Sequence, residues 1–178
     1  MNTVLQVASE QLDQLHNWWS GLTASKPKGY KLAPAEDAKR RSYVDTIRAA
    51  ATDAVDDIGS GAELPQALWV LLQLEEFDAV TTGSPKEAVA AAQSAALVAK
   101  QLQGMKPDAQ TAAHLSLVAE RSAFIVAHNG VKPALTWTDS LGCNAAEFWG
   151  PCNPNSNWLL WVVGAAAVIW YGRKKKWF

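Results

Sequence analysis

Few side chains in this sequence are suited to acid–base, metal or thiol chemistry. The adjacent pair Glu75–Glu76 follows an apolar run, three histidines (His16, His114, His128) are scattered, and two cysteines (Cys143, Cys152) share one Pro- and Asn-rich stretch. None of the histidines has a second ligand at helical spacing. Two thiols with no nearby histidine do not make the four-ligand set of a structural zinc site, so no metal is expected. No Gly-rich phosphate loop, nucleophile elbow or CxxC motif occurs, so no cofactor and no small-molecule substrate are inferred. A Cys143–Cys152 disulfide is expected if the stretch folds back, and it would need an oxidising compartment; the alternative is two unlinked thiols.

One set of residues supports an enzymatic reading. Leu64-Pro65-Gln66-Ala67-Leu68 leads a helical segment ending in Glu75-Glu76, followed by Ser84-Pro85, Ala88 and Gln93, and later by Ala127-His128-Asn129-Gly130. This order resembles the lytic transglycosylase family of peptidoglycan-cleaving, lysozyme-like proteins. The resemblance covers about half the chain in disconnected pieces. It implies a lysozyme-like fold with Glu75 or Glu76 as the catalytic acid, a carboxyl kept protonated in a partly apolar pocket until it donates to the glycosidic oxygen. The sequence departs from that family directly after the acid, where Ser and Gly are expected, and at Glu87 and Ala90, where glycines are expected.

The elements that position these residues read as helices. Leu5, Ala8, Leu12, Leu15, Trp19 and Leu22 recur every three or four residues, one apolar stripe. Gly21 and Lys26-Pro27-Lys28-Gly29 end that helix. Pro34 fits the first turn of a second helix, with Tyr43 or Val44, Ile47, Ala51, Ala54 and Ile58 as its apolar face and Gly59-Ser60-Gly61 as its stop. Pro65 opens a third, apolar almost all round and hence central. Ser84-Pro85-Lys86-Glu87 reads as a capping box, in which the Ser84 hydroxyl and the Glu87 carboxylate exchange backbone bonds. Gly104 ends that fourth helix. Pro107-Asp108 starts a fifth, which Asn129-Gly130 closes. Short loops favour antiparallel neighbours, so the fold class is all-α, an up-and-down bundle of about five helices over 1–130. The first helix sits on a Lys- and Pro-containing tether. It has two homes, across the bundle or on a partner, and Trp18 and Trp19 are its candidate interaction anchors.

Residues 131–157 read as an irregular, Cys-containing juxtamembrane stalk, and 158–178 as a single transmembrane helix with a basic tail. Trp158 to Tyr171 carries no charge, with Trp158 and Trp161 at one end and Trp170 and Tyr171 at the other, as interfacial belts require. Arg173, Lys174, Lys175 and Lys176 close it. The run is shorter than the roughly 20 residues usually needed, and snorkelling basic stems extend it. A hydrophobic content of 49% and a charged content of 19% fit a globular chain plus such a segment. The positive-inside rule places the tail from Arg173 on the cytoplasmic or particle-inner side and the bundle opposite. The N-terminus has no basic start or unbroken apolar run and reads as no secretory signal. Either the helix inserts late, which leaves the bundle in the cytoplasm and breaks the charge rule, or the protein sits in a membrane not built by ordinary export, such as one inside a virus particle. In the second case the tail lysines can touch packaged nucleic acid. A net charge of −1 gives no whole-chain field for nucleic acid. The expected function is therefore a membrane-anchored structural or interaction protein, a non-enzymatic component of a membrane-containing assembly or virus particle. Its expected partners are the bilayer and another protein or a second copy.

Overall fold

The computed structural model describes residues 2–24, 26 and 31–132. Among them are five α-helices and no strand: α1 (Thr3–Thr23), α2 (Pro34–Ile58), α3 (Leu64–Thr81), α4 (Pro85–Gly104) and α5 (Ala109–Ala127). The expected stalk, its cysteines Cys143 and Cys152, and the membrane segment with its aromatics and basic tail lie outside the described residues. None of the described helices is long and apolar enough to cross a membrane.

Local chemistry sets most helix ends. Asn2 caps α1 by accepting from the N–H groups of Val4 and Leu5, at 2.8 and 3.4 Å. Its own N–H donates to Glu63 and its amide to Asp57, which ties the start of α1 to the α2–α3 turn. Pro34 and Pro85 occupy first turns, where their missing donor is harmless. Asp108 accepts from Gln110 and Thr111, both at 2.9 Å. At the end of α5, Asn129 and Gly130 take φ +50° and +85°, and the Gly130 N–H closes on the Ile125 carbonyl at 2.8 Å, a Schellman-type stop.

The capping box at α4 forms only in part. The Ser84 hydroxyl accepts from Glu87 N–H at 3.4 Å. The Ser84 N–H, however, donates to the Thr82 hydroxyl, and that hydroxyl donates to the Glu87 carboxylate at 2.6 Å. Thr82 is buried at the end of α3, so its hydroxyl needs partners and inserts into the bond that Glu87 would have returned.

Successive helices pack on each other, and α3 touches all four others. Ala67, Leu68, Val70, Leu72, Leu74, Phe77 and Ala79 are buried around its circumference, as its lack of a polar face requires. On one side, α3 shares a core with α4 and α5 built from Leu68, Leu72, Val98, Leu102, Leu115 and Val118. Alanines 88, 91, 92, 95 and 99 are buried on α4, and their small side chains leave room for close helix approach. On the other side lie α2 and α1. The stripe Leu5, Ala8, Leu12, Leu15 is no more than 3% exposed, so α1 lies across the bundle as part of its core. Both tryptophans turn toward the bundle. Trp19 meets Phe77 edge-on at 5.2 Å, and Trp18 lies against Tyr43 at 5.8 Å with the Lys39 ammonium 5.4 Å from its ring. Each keeps part of its surface in solvent.

A buried ion-pair network as candidate functional site

Glu75 and Glu76 are neighbours in sequence but lie on different sides of α3, because successive helical residues diverge by about 100°. Glu75 faces α2. It is 2% exposed, and the Arg48 guanidinium holds it in a two-pronged pair, Nε to Oε1 at 2.7 Å and Nη2 to Oε2 at 3.0 Å. Glu76 faces α5, with His114 Nε2 at 3.6 Å and Arg121 Nη1 at 3.9 Å. Trp69 covers the His114 ring at 5.5 Å.

The pair at Glu75 extends one helical turn to Asp78. Arg48 Nη2 donates to Asp78 Oδ2 at 2.7 Å, and Arg40 Nη1 donates to Asp78 Oδ1 at 2.5 Å. Arg40 is completely buried. Its Nε donates to Asp37 at 3.0 Å, and its Nη2 sits 3.6 Å from Glu87. Arg41, on the surface, joins Asp37 to Glu87. Two arginines of α2 thus bridge two carboxylates of α3 and reach the first turn of α4. Hydrogen bonds from Arg48 to Glu75 lift the already high pKa of that guanidinium further against the opposing effect of burial, with Asp78 adding to the rise. Burial pushes the Asp37 carboxyl up, but the hydrogen bonds and charges of Arg40 and Arg41 outweigh it and hold the group below its ordinary value.

Above this network, between the starts of α2 and α4 and the end of α5, is a cavity of about 640 Å³ lined in part by Lys31, Asp37, Thr82, Gly130 and Lys132. Lys132 Nζ donates to the Thr82 carbonyl at 2.5 Å. Burial lowers the pKa of this ammonium, the Arg40 charge lowers it further, and Asp78 opposes both. Gly130 forms the tightest joint here, since a Cβ on it would lie 2.4 Å from the Pro85 carbonyl oxygen. Gly130→Ala therefore combines a left-handed backbone with a main-chain clash. It should cost at least about 2 kcal/mol, seen as a melting temperature lower by about 10 °C. An unchanged melting curve would mean that this joint opens freely.

The network fills both oxygens of Glu75 with guanidinium donors. Among the described residues, no group of three or more His, Cys, Asp or Glu side chains is placed to hold a metal. His16, His114 and His128 stand apart, and His128 is stacked on Phe124 at 4.0 Å with Nδ1 2.8 Å from that residue's carbonyl. Of the described residues singled out from sequence, the structure brings Glu75 into the network, with Glu87 of the expected capping box at its edge. Arg40, Arg48, Asp78 and Lys132 were missed. A signal for Arg40 does exist, because it continues the α2 stripe Val44, Ile47, Ala51, Ala54 one turn toward the N-terminus. A charge on an apolar stripe needs a buried partner. Comparison with protein-family models, with curated proteins and with solved structures gives no match.

Proposed function

We propose that this chain is a membrane-anchored structural or interaction protein, in which residues 158–178 hold the five-helix bundle to a bilayer and the bundle presents a surface to partners. The charge-free run Trp158–Tyr171, framed by aromatics and followed by Arg173, Lys174, Lys175 and Lys176, carries this reading. The bundle adds support for a non-enzymatic role, since its one deeply buried glutamate is committed to Arg48. A Cys143–Cys152 bond beside the membrane, and contact of the basic tail with lipid headgroups or packaged nucleic acid, belong to the same proposal.

The full chain and a chain ending at Asn157 are to be expressed side by side, and their membranes washed with alkaline carbonate. The full chain is expected in the membrane pellet and the shortened chain in the wash. Retention of the shortened chain in the pellet would overturn the assignment of 158–178 as the anchor.

A further inference from the structure

Alternation of helix direction brings the ends of α1, α3 and α5 together with the starts of α2 and α4. The cavity lined by Lys31, Pro34, Thr82, Pro85 and Lys132 marks where they meet. Charge at this end is sorted by pairing. Lys31, Lys39 and Lys86 are exposed, whereas the Lys132 ammonium sits on the Thr82 carbonyl and Arg41 is paired with Asp37 and Glu87. The carboxylates of the same end are partly exposed, and each is paired. Glu36 is held by Lys26 at 3.7 Å and by the Ala33 N–H, Asp37 by Arg40 and Arg41, and Glu87 by Arg41 and the Thr82 hydroxyl. The opposite end is different. It exposes Asp53, Asp56, Asp57 and Asp108 alongside Lys100 and Lys106.

Helix stability accounts for only part of this sorting. Anions are favoured at helix starts and cations at helix ends, which suits Glu36, Asp37 and Glu87 in the first turns of α2 and α4. It does not explain Lys86, in the first turn of α4, or Asp56 and Asp57 in the last turn of α2. At the rim of the basic end lies Trp18, partly exposed, with Lys39 over its ring. An indole beside an ammonium suits the headgroup layer of a bilayer. Lys132, the last described residue, also lies at this end, and the segment proposed as the anchor follows it in sequence. That tether raises the concentration of bilayer seen by the basic end.

We propose that this end of the bundle docks on an anionic bilayer surface, with the exposed Lys31, Lys39 and Lys86 facing lipid headgroups and Trp18 at the rim. The inference rests on the anchor reading of 158–178 and adds the orientation of the bundle and the lipid class it prefers. Anionic lipid attracts each such cation strongly enough to change local occupancy roughly five-fold.

The test uses the full chain on phosphatidylcholine vesicles, with or without about one-third phosphatidylserine. Lysines are pulse-acetylated and each site is read by mass spectrometry. On anionic vesicles Lys31, Lys39 and Lys86 are expected to react roughly five-fold more slowly than on neutral ones, while Lys100 and Lys106 keep their rates. The variant K31E/K86E, checked for unchanged helical circular dichroism, should lose the protection of Lys39, and K100E/K106E should keep it. Capture of the chain by vesicles with equal rates at both ends overturns the docking and leaves the anchor standing. Failure of either vesicle to capture the chain overturns the anchor and the docking with it. Equal protection by duplex DNA without vesicles assigns the patch to polyanions in general and overturns the lipid proposal.

Discussion

Arg48→Ala is expected to lower the stability of the bundle by about 3–5 kcal/mol, a large share of the roughly 5–15 kcal/mol of an ordinary domain. The cost arises in what remains. Glu75 would keep a carboxylate whose side chain is 3% exposed with both guanidinium bonds gone, and Asp78 would keep only its bond to Arg40. Neither group regains water without opening the α2–α3 contact. The measurement is a urea transition, in which the midpoint should fall while the slope stays constant. Replacing both partners, Arg48→Met with Glu75→Leu, should restore most of the loss, because two well-packed apolar side chains need no desolvation. A single-variant loss below about 1 kcal/mol would place this pair among weak surface bridges instead.

Deleting residues 1–24 is expected to abolish cooperative unfolding. Leu5, Leu12 and Leu15 are buried completely or nearly so, and each such side chain contributes roughly 2 kcal/mol. Trp19 adds its edge contact with Phe77, worth about 0.5–1.5 kcal/mol beyond area. The sum is of the order of the whole net stability of a domain. It also leaves Phe77 and the apolar face of α2 exposed. The shortened chain should bind a hydrophobic dye and give a broad, shallow thermal transition. A sharp transition within a few degrees of the full chain would show that the other four helices close a core without α1. Loss of a partner by such a deletion reports on folding as much as on contact. Trp18→Ala separates the two. Its ring lies on Tyr43 at the rim of the core, so a contact role for Trp18 predicts lost association with the melting curve kept.

The boundaries of the helices were legible because they depend on neighbours in the chain. Pro34, Pro85, Asp108 and Asn129-Gly130 act within one turn of where they stand, and the structure places a helix end at each. The central position of α3 was legible for a related reason, since a helix with no polar face has nowhere else to go. The fate of the individual charges was not. Ser84 and Glu87 satisfy the local pattern of a reciprocal cap, yet Thr82, fixed by the burial of the α3 end, takes half of it. Glu75 and Glu76 are equivalent in sequence. One became the partner of an arginine 27 residues away, and the other faces His114 and Arg121 on α5. Arg40 and Asp78 are separated by 38 residues. Spacing along one helix says which side a charge lies on, whereas the helix opposite that side is decided by how the four other helices pack around α3. A buried charge takes the partner that this packing brings within reach, because none can stay there unpaired.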